Sequence, residues 1–207
     1  MGILSGAVRF RRYQVRGEIS AGFKDEFEEA IRKFGFQDFA TDDEREQVVG
    51  WAPVDDWFSP DLPLDRWLVQ NSICLTLRID TKRLPAQYLR YQCRQLEGEW
   101  RVKTGRENLS RAEREEVQAI IRRQLLQRAI PAVQGIDLCW DMERGDVWFW
   151  STGDTVNETF CTLFEKTFRV KLRPLFPYAL ALRQQGDAAA EMLERVVPSV
   201  LRGEVSA

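Results

Sequence analysis

The chain has 207 residues, 44% of them hydrophobic, which suits one large domain or a domain with an appendage. It contains no histidine, so imidazole-activated serine or cysteine nucleophiles, histidine general bases and histidine-ligated metals are excluded within it. A net charge of -2 argues against a general polyanion binder, yet Lys plus Arg stands at 9 against 14 Asp plus Glu over residues 1–77, 13 against 7 over 78–128 and 8 against 11 over 129–207, a basic middle between acidic ends.

In chain order, AVRFRRYQV at 7–15 reads as a strand. FKDEFEEAIRKFGF at 23–36 reads as an amphipathic helix, since Phe23, Phe27, Ala30, Ile31 and Phe34 share one helical face, and Gly35 is the expected stop. After the acidic TDDERE comes VVGWAPV at 48–54, a strand broken by Pro53. DDWFSPDLPLDRW at 55–67, with three prolines, predicts an irregular loop whose Trp57 and Trp67 either plug a core edge or anchor a partner. LVQNSICLTLRI at 68–79 returns to strand, with Ile73, Leu75, Leu77 and Ile79 on one face.

From Asp80 the period becomes helical and arginine frequent. Ser110 and Glu113 form an S-x-x-E capping box that fixes the start of the second helix, Val117, Ile120, Ile121 and Leu125 form its apolar stripe, and Pro131 ends it. Arg111, Arg114, Arg122 and Arg123 lie off that stripe, spread around the remaining circumference. Two readings of 78–128 stand together, a polyanion contact and a solvated helical face.

GIDLCWDMERGDVWFWST at 135–152 predicts a β-hairpin: Ile136, Leu138 and Trp140 share one strand face, Asp137, Cys139 and Asp141 the other, and MERGD turns at Gly145. Asp137, Asp141, Glu143 and Asp146 raise the question of a metal centre, but Asp137 and Asp141 stand about 13 Å apart along a strand, too far for one ion. TVNETFCTLFEKTFRVKLRPL follows as a helix through about Phe168 and a short strand, with Trp140 expected to bury against Phe160 and Phe164. A modest helix is expected around 187–197. Strand, Phe-rich helix and strand near 7–54 echo faintly near 136–173, which suggests two similar α+β units sharing a sheet.

No D-x-D, Walker A, G-x-S-x-G or G-x-G-x-x-G pattern occurs, so although carboxylate-only magnesium, lysine and tyrosine chemistry survive, an enzyme is disfavoured and no cofactor is expected. Cys74, Cys93, Cys139 and Cys161 are scattered without a C-x-x-C pair and read as reduced, mostly buried thiols. Apolar runs are too short for a membrane span, and the N-terminus has no uninterrupted apolar signal core, so a cytoplasmic protein is expected.

Order and text together resemble the RdgC family of recombination-associated proteins. The resemblance rests on R-x-x-x-x-x-E-I from Arg12 to Ile19, GWAPV at 50–54, SICLTLRIDTKRLPA at 72–86, LLQRAIP at 125–131, and LCWDMERGDVWFWST followed by a helix and RPLFP, over roughly residues 7–180. It implies a non-catalytic, sequence-independent binder of double-stranded DNA in the bacterial nucleoid, a homodimer closed as a ring around the duplex, and antagonism of recombinase filaments. Familiar members are longer, with a C-terminal region that helps close the ring; here the chain ends soon after RPLFP.

The expected architecture is α+β, an antiparallel sheet built from two similar strand-helix-strand units with an inserted basic helical pair. Residues 1–79 and 130–180 form its central domain, 80–129 a basic helical protrusion, and 181–207 a C-terminal helix and tail. The candidate DNA contacts are Lys82, Arg83, Arg90, Arg94, Arg101, Lys103, Arg106, Arg111, Arg114, Arg122, Arg123 and Arg128. Tyr88, Tyr91 and Trp100 are available to stack on unpaired bases or to pack between the helices. The competing readings are a protein-interaction module using the Trp57 and Trp67 loop and, least favoured, a nuclease using Asp137, Asp141 and Asp154.

Overall fold

Alternating apolar residues build most of one antiparallel sheet. The computed structural model describes residues 2–3, 9–20, 22–40, 43–106, 108–186, 192–193 and 195. Its elements run β1 (Arg11–Arg16), α1 (Phe23–Lys33), β2 (Gln47–Ala52), α2 (Leu64–Trp67), β3 (Leu68–Val69), β4 (Ser72–Thr81), α3 (Ala86–Thr104), α4 (Arg111–Arg128), β5 (Ala132–Asp141), β6 (Asp146–Phe149), α5 (Asp154–Phe168), β7 (Lys171–Pro174) and α6 (Pro177–Gln185). The strands stand in the order β2-β4-β5-β6-β1-β7, every pairing antiparallel, with β3 added beside β4.

One face of this sheet is apolar. Ile73, Leu75, Leu77 and Ile79 of β4, Ile136, Leu138 and Trp140 of β5, and Val147 and Phe149 of β6 are buried in a single cluster with Phe27 and Ile31 of α1 and Phe160, Phe164 and Phe168 of α5. Trp140 sits at its centre, with ring centroids 5.2 Å from Phe164, 5.3 Å from Phe168 and 5.8 Å from Phe27, while Phe149 stacks on Phe160 at 4.0 Å. Trp51 crosses from β2 to donate Nε1–H to Thr167 Oγ1 at 2.8 Å. Burial of this aromatic mass, not helix propensity, holds α1 and α5 on the sheet.

The opposite face is polar. Arg78 forms a bidentate pair with Asp80, at 2.9 and 2.7 Å, and its guanidinium lies between Phe36 and Phe58, 3.8 and 4.7 Å from their ring centroids. The loops at 36–40 and 55–62 therefore cover this end of the polar face. Gly135 makes room there, because a Cβ at that position would come within 2.5 Å of the Trp57 ring.

Several expectations change. Residues 68–79 are not one strand: Gln70 takes a left-handed φ of 56° and folds β3 back on β4. The loop at 55–67 contains the short α2, which carries Trp67 into the core at 0% exposure. Helix α1 ends at Lys33 with Phe34 as its cap, and Gly35 instead bridges to Trp51. The stripe of α4 buries Val117, Ile121 and Leu126, with Ile120 and Leu125 half-buried. Helix α6 was not foreseen, and the helix expected around 187–197 falls largely outside the described residues. The strand expected at 7–15 is described as 11–16, residues 7 and 8 lying outside the description. Both parts of the two-unit echo are strand-helix-strand runs of the one sheet, β1-α1-β2 and β6-α5-β7, although β6 and β7 flank β1 directly whereas β1 and β2 stand four places apart.

Candidate nucleic-acid interface

The basic segment forms a helical hairpin between two partnered strands. Thr81 at the end of β4 and Ala132 at the start of β5 are direct partners, and all of 82–131 leaves the sheet between them. Helix α3 packs chiefly against α4 and buries no residue fully; Leu89, Cys93, Leu96 and Trp100, at spacings of 4, 3 and 4, are half-buried, which marks one narrow contact stripe. Gly105, at φ 66°, ends α3 in a left-handed cap. Ser110 opens α4 through a reciprocal capping box, Glu113 N–H donating to Ser110 Oγ at 3.2 Å and Ser110 N–H to Glu113 Oε2 at 2.7 Å. The Ser110 backbone N–H and hydroxyl, with Arg106 nearby, hold the Glu113 carboxyl below its ordinary pKa.

The twelve candidate contacts divide by what they already hold. Lys82 is buried, at 7% exposure, with its ammonium 4.3 Å from the Phe39 ring centroid, so it supports a loop rather than facing solvent. Arg101 approaches Glu97, Arg106 pairs with Glu113 and Arg111 with Glu115, at 4.0, 2.8 and 2.9 Å, all within the hairpin. Arg122 and Arg123 reach back to Glu46 and Glu44 of the acidic loop before β2, tying α4 to the sheet domain. Arg83, Arg90, Arg94, Lys103, Arg114 and Arg128 are exposed and have no carboxylate partner among the described residues. On α3, Arg90, Arg94 and Arg101 fall within about 40° of arc on a side adjacent to the packed stripe, by helical spacing. They form the single row of guanidinium groups that the arginines of α4 do not.

The hairpin carboxylates are otherwise employed. Asp137, on the polar face at 3% exposure, accepts from Thr76 Oγ1 at 2.6 Å and from Ile3 N–H at 2.8 Å. Asp141 accepts the N–H groups of Glu143 and Arg144, both at 3.0 Å, and so shapes the turn in which Gly145 takes φ 68°. Asp146 is directly opposite Asp141 in the register and is clasped by Arg12 at 2.7 Å and Arg183 at 2.5 Å. Burial alone would raise its pKa, but the two guanidinium groups outweigh it and leave the carboxyl below the ordinary value. Asp154 is 84% exposed and pairs with Arg11. Among the described residues no group of three or more acidic or cysteine side chains has a geometry that could hold a metal ion.

The sequence reading overlooked a second basic surface. Arg12 and Arg16 of β1 and Lys171 and Arg173 of β7 fall at the alternating positions opposite the core-facing Tyr13, Val15 and Leu172, with Arg16 opposite Lys171 and Gln14 opposite Arg173; Arg12 holds Asp146 and Lys171 holds Glu165, which leaves Arg16 and Arg173 without carboxylate partners among the described residues. The alternation in RRYQVR and KLR carried that signal, hidden because the two stretches lie far apart in sequence. The tryptophan loop moves the other way: Trp67 is buried and Trp57 half-buried, leaving Phe58, at 67% exposure, as its outward aromatic residue. Tyr88 and Tyr91 are exposed and stacked at 6.4 Å on α3, whereas Trp100 belongs to the half-buried stripe. No described helix is long and apolar enough to cross a membrane.

A family model described as "Putative exonuclease, RdgC" matches residues 10–185, most of the chain. No curated protein matches it.

Proposed function

The chain belongs to the RdgC family, and from this premise we propose that it is a non-catalytic protein that binds double-stranded DNA largely without regard to sequence and modulates recombination by occupying the DNA in the nucleoid. The observation that carries the reading is the projecting α3–α4 hairpin, where Arg83, Arg90, Arg94, Lys103, Arg114 and Arg128 are exposed and without carboxylate partners among the described residues, and where Arg101, which approaches Glu97, extends the row of Arg90 and Arg94. Cations of this kind neutralise phosphates and release counterions while carrying no base information. In this reading residues 1–79 and 130–180 form the platform, 80–129 is the DNA-contacting protrusion, and 181–207 is an appendage. Two copies enclose the duplex, and recombinase filaments are restrained by competition for the same DNA.

Although the family description includes the word exonuclease, non-catalysis is supported by the carboxylates themselves. Asp137 and Asp141 stand four residues apart along one strand, Asp141 caps a turn, and both oxygens of Asp146 are held by arginines. None of these groups is left as a free pair to clamp two positions of one phosphate.

A salt titration with several unrelated duplexes tests binding. Log K should fall linearly with log salt at about 0.9 per phosphate neutralised, with the same slope for each sequence. Sequence-confined binding, or magnesium-dependent shortening of linear DNA that Asp141→Asn abolishes, would overturn the proposal. The mass of the free protein by light scattering, expected at twice the 24.1 kDa chain, tests the dimer.

A further inference from the structure

We propose that Cys74 and Cys139 form a redox modification site, a dithiol that closes to a disulfide within the sheet when a hydroperoxide accepts two electrons from it. The two residues are direct partners across β4 and β5, and their Sγ atoms lie 3.6 Å apart. The pairing type favours closure. Met142 N–H donates to Asn71 O on the same ladder, which makes the rung of Asn71 and Met142 a hydrogen-bonded pair. Rungs alternate, so Cys74 and Cys139, three rungs along, form a non-hydrogen-bonded pair, whose Cα atoms stand only about 4.5 Å apart. That separation already lies inside the range a disulfide spans, so closure requires side-chain rotation and no movement of the strands.

The surroundings provide access and distinguish the two sulfurs. Both residues are half-buried on the polar face, where Cys139 stands between Asp137 and Asp141 along β5 and faces Trp148 on β6. The Cys74 S–H points at Cys139 Sγ. This hydrogen bond pulls the Cys139 thiol below its ordinary pKa against the opposing effects of burial and Asp141, and with burial it pushes the Cys74 thiol up. Cys139 attacks and Cys74 resolves, and the balance is the same with the two roles exchanged. The Cys139 thiolate attacks hydrogen peroxide, forming a sulfenic acid and releasing hydroxide as the O–O bond breaks. Cys74 then attacks that sulfur, the S–S bond forms, and the S–O bond breaks to release water. The balance is two thiols and one peroxide to one disulfide and two waters. Cys93 on α3 and Cys161 on α5 have no thiol beside them and stay reduced.

The test uses the whole chain in its native state. After hydrogen peroxide treatment and quenching, the protein is unfolded in an alkylating agent without reductant, digested and weighed. The expected product joins the Cys74 and Cys139 peptides with the loss of two hydrogens, leaves Cys93 and Cys161 alkylated, and reverts with dithiothreitol. In Cys74→Ser, with no resolving thiol, Cys139 should instead be trapped as a dimedone adduct of its sulfenic acid. Conversion of Cys139 to sulfinic or sulfonic acid in the parent while Cys74 remains alkylated would overturn the proposal. So would retention of all four thiols, or pairing with Cys93 or Cys161.

Discussion

A guanidinium that already holds a carboxylate offers little to a phosphate, because it must first give up its partner. Arg122 and Arg123, paired with Glu46 and Glu44, therefore differ in kind from the unpartnered Arg90 and Arg94 despite equal charge. Replacing Arg90 and Arg94 together by Gln should flatten the salt dependence of duplex binding by up to about 2 units. The Arg122→Gln, Arg123→Gln protein should change that slope much less and should loosen α4. Both pairs are roughly half exposed, so the cost is about 1 kcal/mol or less for each, visible as faster amide exchange along the helix. Equal slopes in the two variants would refute the distinction. Asp146 gives a second outcome at this scale. Its folded pKa lies below the ordinary carboxyl value of 3.8, so the stability it contributes is present above that value and is lost as pH falls through the lower folded one. Asp146→Asn should cost roughly 2–3 kcal/mol at neutral pH, less than a wholly buried pair because Arg12 and Arg183 are about a third exposed. The difference from the parent should shrink in urea melts taken near pH 3, and a constant difference between neutral and acid pH would refute the assignment.

At the scale of elements, the aromatic seam between β5 and α5 bears most weight. Trp140→Ala should cost roughly 3–5 kcal/mol by urea denaturation, since the ring is fully buried among Phe27, Phe164 and Phe168. A variant melting like the parent would contradict that placement. This seam was legible beforehand, because alternation in IDLCW and the spacing of Phe160, Phe164 and Phe168 each point one way. The capping box was legible for the same reason: its signal spans four residues. What failed was non-local or lacked a marker. Gln70 adopts a left-handed turn without being glycine, so β3 and β4 read as one strand. The contacts of Arg122 with Glu46 and Arg123 with Glu44 join segments more than 70 residues apart, so charge counting could not tell employed arginines from idle ones. The thiol pair depends on a strand register that no local pattern contains.

At the scale of the whole molecule, the basic middle of the sequence is a separate projection, and the register says how it is attached. Because Thr81 and Ala132 are partners on one rung, the fifty residues from 82 to 131 leave and re-enter the sheet across a gap of about 5 Å. A gap of that width is what an ordinary two-residue β-turn closes. The hairpin is thus a detachable cassette: replacing 82–131 by Asn-Gly should convert β4 and β5 into a plain β-hairpin and leave the aromatic core intact. Circular dichroism should lose helix while retaining a cooperative melt, and duplex affinity should collapse. A chain that no longer folds would mean the projection holds the sheet together; one that folds and still binds DNA would assign the binding to the sheet cations without carboxylate partners among the described residues, Arg16 and Arg173. If the join behaves as its register dictates, the same socket will accept helical hairpins of other lengths and charges, and the reach of the protein could be graded without altering a residue of its sheet.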